Sequence, residues 1–238
     1  MIPSRPRIVV VAAVGALWGV AAPAAAQSIG VFASVADPSS MQGVRETLMC
    51  TGEFASSDVW DLAATTPTLQ DLLAYHAIVV WSDIPLDDAS EFGDVLADYV
   101  DNGSGVVLAL GAYSGPTAIE GRFAADGLFP VALGPVDTPG GNLTITPISG
   151  YQWLPGVPGH PTTNGLNDFQ GGTGSFQVDT VEVGTAEVTA QWSNGVPAVI
   201  LREADPIDTG RIAVGNFLPP HDLIVAAIHR PDGQWLHA

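Results

Sequence analysis

The chain contains no lysine. Seven arginines carry all of its fixed positive charge against 25 acidic residues, for a formal net charge of −18 over 238 residues. A surface of that sign repels phosphate backbones and anionic headgroups, which argues against nucleic acid and membrane surfaces as partners. Cysteine is nearly absent too. Cys50 stands alone, so no internal disulfide can form. Its place near the end of an expected helix (Ser40 to Thr51) suits a small apolar role more than a nucleophilic one.

Long apolar runs are missing beyond the first 26 residues, so no later segment reads as membrane-spanning. Within those 26 residues, Arg5 and Arg7 precede an apolar run from Ile8 to Ala22. Pro23 breaks the run, and Ala24-Ala25-Ala26 follows. A positive start, an apolar stretch shorter than the roughly 20 residues of a bilayer span and a small-residue cleavage site form the three-part pattern of a secretory signal. Pro6 separates the arginines, so the signal is not of the twin-arginine type. No Cys follows the cleavage site to carry a lipid. The expected product is residues 27–238, a single domain exported to the periplasm or the medium. It has no membrane attachment after cleavage and a net charge of −20, because the removed segment holds two arginines and no acid.

The product opens with an apolar strand from Ile29 to Val35. Ser40 is placed to cap a helix bearing Met41, Val44 and Leu48 on one face. A second strand is expected over Asp58 to Leu62, then a short helix capped by Thr66 with Pro67 in its first turn. AIVVW (Ala77 to Trp81) reads as a strand buried on both faces. Asp87-Asp88 opens a helix whose apolar stripe is Phe92, Val95, Leu96 and Tyr99. Asn102-Gly103 stops it, and GVVLAL (Gly105 to Leu110) follows. Strand, helix and strand at this spacing make a βαβ unit and imply a parallel sheet. From Ser175 the texture becomes β-rich, with Asn194-Gly195 as a hairpin turn. Trp81 and Trp192 read as core.

The stretches LLAYHAIVVWSD and LADYVDNGSGVVLALGAY resemble the class I glutamine amidotransferase-like superfamily. Two later segments resemble its ThuA-like branch. One is His160-Pro161-Thr162-Thr163-Asn164-Gly165-Leu166-Asn167-Asp168-Phe169. The other runs from Trp192-Ser193-Asn194-Gly195-Val196-Pro197 to Gly210-Arg211-Ile212-Ala213. The resemblance implies an α/β, flavodoxin-like three-layer fold with a mainly parallel sheet and a β-rich C-terminal half. The chain ends near where the resembling proteins begin a last helix, so the expected fold lacks that helix. The resemblance also implies a catalytic Cys on a tight turn after the central strand, assisted by a later His and an acid. Here that turn reads Gly111-Ala112-Tyr113-Ser114-Gly115, without a Cys.

Ser114 is a candidate nucleophile there, with Tyr113 beside it. The spacing G-x-x-S-G departs from the G-x-S-x-G of a nucleophile elbow, and a turn-capping serine is the competing reading. His221 with Asp222 is the candidate acid/base pair, since the C-terminal edge of such a sheet is where ligands bind. Ser82, Asp83 and His160 are candidate ligand contacts, although His160 also suits a loop tie. Tyr151 and Trp153 are a candidate sugar-stacking platform, with a pin for a long loop as the favoured competing reading. Asp83, Asp87, Asp88 and Glu91 are candidate ligands for Ca²⁺, the one cofactor considered. Helix capping explains two of them without a metal. His76, just ahead of a strand, reads as structural. Three functions follow. The first is an exported, non-catalytic amidotransferase-like domain that binds a small molecule, a glycan or a protein, or builds a larger assembly. The second is a secreted hydrolase or carbohydrate-processing enzyme with an unconventional site. The third is a Ca²⁺-stabilised structural module.

Overall fold

A computed structural model describes residues 27–133, 146–147, 152–155, 169–170, 176–202, 210–217 and 219. The first half alternates strand and helix: β1 (Gln27–Ser34), α1 (Ser39–Cys50), β2 (Phe54–Asp61), α2 (Leu69–Leu72), β3 (Ala77–Ser82), α3 (Ala89–Asp101), β4 (Gly105–Ala109) and α4 (Gly121–Ala125). Short strands follow: β5 (Val131–Leu133), β6 (Thr146–Pro147), β7 (Gln152–Pro155), β8 (Phe169–Gln170), β9 (Phe176–Gln177) and β10 (Thr180–Glu182). Three longer ones close the described part: β11 (Glu187–Trp192), β12 (Pro197–Arg202) and β13 (Ile212–Gly215).

Nine strands form one sheet in the order β2-β1-β3-β4-β13-β12-β11-β7-β8. The first five run parallel. The remaining four extend the sheet by antiparallel pairing. The junction of the two halves is the β4–β13 pair, so the β-rich C-terminal half shares the sheet of the α/β half, as expected.

Three layers result. On one face, Met41 and Val44 of α1 pack on Ile29, Val31, Ala33, Val79 and Trp81. On the other, Phe92, Leu96 and Tyr99 of α3 and Phe123 of α4 cover Phe32, Ile78, Val80, Val106, Leu108, Ile212 and Val214. Side chains of this size each contribute about 1.5–3 kcal/mol when fully buried. The expected α3 stripe is therefore the working face of that helix. Its start and stop are also as expected: the Asp88 carboxylate accepts from Ser90 N and Glu91 N, and Gly103 adopts φ 87°. The Arg122 guanidinium of α4 reaches Asp98 and Asp101 on α3 and Asp126 on its own helix.

Several local expectations are corrected. Helix α1 begins at Ser39 with Pro38 at its cap position and no side-chain cap, and the Ser40 hydroxyl donates back to Asp37 O. Strand β2 starts four residues before Asp58, because pairing with β1 recruits polar Ser56 and Ser57 that carry no strand pattern of their own. Thr68, not Thr66, caps α2. It forms a reciprocal capping box with Asp71, and the two hydrogen bonds to Thr68 hold that carboxyl below its usual range. Cys50 is exposed, since the buried positions of α1 are Met41, Gly43 and Val44 and its last turn reaches past them.

Candidate functional site

In an open α/β sheet, ligands bind outside the carboxyl ends of the strands where the chain changes direction across the sheet. Here that switch point lies between β1, whose chain leads outward to β2, and β3. Both strands end in a buried serine, Ser34 and Ser82. The crevice beyond them is crossed by hydrogen bonds. Asp83 N and Ile84 N donate to Ser34 O at 2.8 and 3.3 Å. Ser34 Oγ donates to Pro85 O at 2.7 Å. Ala36 N donates to Asp83 Oδ1 at 2.9 Å. The expected ligand contacts Ser82 and Asp83 thus hold backbone: Ser82 Oγ donates to Thr117 O at 2.9 Å, and Asp83 clasps the β1 loop.

The next position along the edge is the turn after β4. Gly111 has φ +94°, and a Cβ there would lie 1.7 Å from Ser82 O. Only glycine lets the turn approach β3 this closely. Ser114, at 2 % exposure, accepts from Gly111 N through Oγ at 3.3 Å. Its hydroxyl oxygen faces inward and closes the turn. Tyr113 is buried as well, and its hydroxyl donates to Asn216 Oδ1 at 2.9 Å. Burial pushes the phenol well above its ordinary pKa, so it stays neutral and serves as a donor, not a base.

Asn216, directly after β13, gathers this region. Its Oδ1 also accepts from Val178 N at 3.0 Å. Its amide donates to Val178 O at 2.7 Å, Pro197 O at 2.9 Å and Thr180 Oγ1 at 3.4 Å. Its backbone oxygen accepts from Trp192 Nε1 at 3.3 Å. A fully buried Asn with each polar atom matched joins β13, β12, the β9–β10 connection and the β4 turn. In the sequence Asn216 is marked only as a polar residue following the apolar strand IAVG.

The four acids considered as Ca²⁺ ligands are not brought together. Asp83 accepts from Ala36 N, Asp87 from Thr66 Oγ1 at 3.5 Å and Asp88 from the first turn of α3, while Glu91 is exposed within that turn. Among the described residues no three His, Cys, Asp or Glu side chains are grouped to hold a metal ion. Trp153, expected on a loop, sits in strand β7 with its backbone opposite Trp192 and Phe169. Tyr151, His160, His221 and Asp222 lie outside the described residues. His76 is structural as expected: its Nδ1 lies 3.1 Å from Ser28 N and 3.0 Å from Ser28 Oγ. Trp81 and Trp192 are core.

No protein family model matches the sequence, and no curated protein does. Solved structures do match in shape. The N-terminal domain of mmIFT52 superposes with TM-score 0.56 at 10% identity, over 79% of this chain and 85% of that one. A putative ThuA-like protein from Parabacteroides merdae gives 0.53 at 14% identity, over 80% and 78%. Another from Bacteroides uniformis gives 0.53 at 13% identity, over 85% and 88%. Identities this low speak of fold alone. The fold is α/β and flavodoxin-like, and is similar to that of these two ThuA-like proteins.

Proposed function

We propose that the chain is an exported amidotransferase-like domain that binds or builds and does not catalyse. The observation that carries this reading is the turn after β4. Where the resembling enzymes present a nucleophile, this chain has Ser114 and Tyr113, both buried and both committed to internal hydrogen bonds. A nucleophile needs an exposed attacking atom and a base within hydrogen-bond reach, and neither side chain offers the first. Export rests on the pattern of residues 1–26. Partners are then small neutral or cationic molecules, glycans or proteins, since the charge disfavours polyanions.

The test has two arms. Purified protein is assayed for ammonia release from glutamine and for hydrolysis of chromogenic esters and glycosides. Turnover no higher than buffer is expected; turnover that vanishes on Ser114→Ala would overturn the reading. Sequencing the N-terminus of the exported product should give Gln27 first, and a product that retains Met1 would overturn cleavage after Ala26.

A further inference from the structure

Asp58 and Trp60 stand two residues apart on β2, an outermost strand of the nine-stranded sheet, so they share one face of it. That face is the one α3 covers: Trp60 packs against the cluster that holds Phe32, Leu96 and Tyr99, whereas Val59 packs on the α1 side. Trp60 lies opposite Phe32 of β1, and the two rings stack at 5.9 Å between centroids and 17° between planes. No strand stands beyond β2, so the second face of the half-buried indole looks outward over the open edge. The indole N–H donates to Thr65 O at 3.0 Å. That bond lies in the ring plane, where it fixes the ring without using its outer face.

Asp58 is exposed and lies opposite Gly30. A Cβ on Gly30 would lie 2.4 Å from Phe32 Cε2 and 3.1 Å from Tyr75 Cδ2, so the glycine lets both rings lie over β1. Tyr75 meets Phe32 edge-on at 5.6 Å, and its hydroxyl donates to Asp58 Oδ2 at 3.3 Å. Burial raises the phenol above its ordinary pKa, and the charges of Asp58 and Asp71 push it the same way. Asp71 belongs to the capping box of α2. Two carboxylates therefore set the potential beside Tyr75. Among the described residues neither is ion-paired, and the three ion pairs there all belong to Arg122.

The groups left facing outward decide what can bind. Both donors of the cluster, the indole N–H and the phenol O–H, are spent on internal acceptors. A π face and a carboxylate remain, and both attract positive charge while offering no hydrogen to a ligand. A sugar hydroxyl accepts as well as donates, and this cluster has no free donor for it. A metal ion wants several oxygen ligands, and no three acids are grouped among the described residues. An organic ammonium needs only the π face and one carboxylate, and the net charge of −18 draws it in.

We propose that Trp60 and Asp58 form a binding site for a small organic ammonium ion at the outer edge of β2, with the cation on the outer indole face and the Asp58 carboxylate as its counter-charge. The site lies three strands from the turn after β4, so it stands whether or not that turn catalyses.

The test titrates the purified protein with choline chloride and follows the β2 amide signals and the Trp60 indole N–H by NMR, the latter assigned by its loss in Trp60→Phe. Saturable binding in the millimolar range is expected, weakening as sodium chloride is raised. Neopentyl carbinol, the neutral carbon isostere of choline, keeps the shape without the charge and should not saturate over the same range; nor should glucose. Asp58→Asn keeps an acceptor for Tyr75 and should weaken choline binding by about fivefold. Trp60→Leu removes the π face and should weaken it by a similar factor; should that variant not fold, the exposed Asp58→Asn carries the test. Asp61→Asn removes the same charge from the same strand, on the opposite face by alternation, and should change the affinity by less than about twofold. The proposal is overturned if choline leaves the β2 signals unmoved, or if the neutral isostere or glucose binds as well as choline. It is equally overturned if Asp58→Asn binds as tightly as the wild type, or if Asp61→Asn weakens binding as much as Asp58→Asn, which would make the effect one of net charge.

Discussion

The C-terminal edge of the sheet is laced shut in two places, by two kinds of chemistry. Between β1 and β3 the closure is exposed and charged: the Asp83 carboxylate holds Ala36 N at 2.9 Å. Between β4 and β13 it is buried and neutral: Tyr113 and Asn216 meet at 2.9 Å with the Asn amide fully matched. Water competes for the Asp83 clasp, although Ser34 beneath it is buried, and has no access to the Tyr113–Asn216 bond. An exposed hydrogen bond can be traded for solvent at little net cost, whereas a buried one leaves a stranded group when its partner is removed. The two closures should therefore differ in what they contribute, and the β4–β13 side should behave as part of the core.

Asn216→Leu tests this most severely. The Val178 N–H and the Val178 and Pro197 carbonyls would lose their Asn216 partners, and the Tyr113 hydroxyl would lose its acceptor. A loss of about 3–5 kcal/mol is expected in urea unfolding. A loss below about 1 kcal/mol would mean the region repacks freely and the contrast between the two closures is false.

Tyr113→Phe removes one bond and leaves Asn216 Oδ1 its second donor, Val178 N. The expected cost near neutral pH is about 1–2 kcal/mol. The pH dependence sharpens the test. The folded phenol has its pKa raised by burial, so its contribution is complete below the unfolded value of about 10. It is lost as pH climbs above that value, because the unfolded chain releases the proton and the folded one resists. The wild type should lose stability in alkali more steeply than Tyr113→Phe. Equal alkaline slopes would show that the phenol is solvated.

Legibility in the sequence follows the same division. Strand β3, helix α3 and strand β4 were plain because each has a strong period of its own, a continuous apolar run or a 3.6-residue stripe, and needs little from elsewhere. The β11–β12 hairpin was plain because Asn194-Gly195 is a local turn signal. The start of β2 was not, since Ser56 and Ser57 become strand only by pairing with β1. The α2 cap reads two residues early, at Thr66, because Pro67 imitates a first-turn proline, whereas the capping box is Thr68 with Asp71. Within the candidate site, the sequence exposed the missing Cys at residues 111–115, a fact of identity. It did not reveal that Ser114 turns inward or that Asn216 unites four segments, since both depend on strands distant in sequence lying side by side. Asp83 was legible as an acid at a strand end but not as a clasp, because its partner, Ala36 N, is a backbone group.

Asp83→Ala closes the series with the smallest effect. The substitution deletes the acceptor of Ala36 N and leaves intact the backbone bonds from Asp83 N and Ile84 N to Ser34 O. Asp83 is exposed, so water can take over the freed Ala36 N–H, and the net cost should be about 1 kcal/mol or less. Amide exchange reads the local consequence: Ala36 N–H should speed up by a larger factor than Val178 N–H, whose partner is untouched. Asn216→Leu should reverse that order, opening Val178 and sparing Ala36. If Asp83→Ala instead cost as much as Tyr113→Phe, the crevice between β1 and β3 would be a closed part of the core and not a solvated clasp. The place where α/β sheets receive ligands would then be as firmly sealed as the turn after β4.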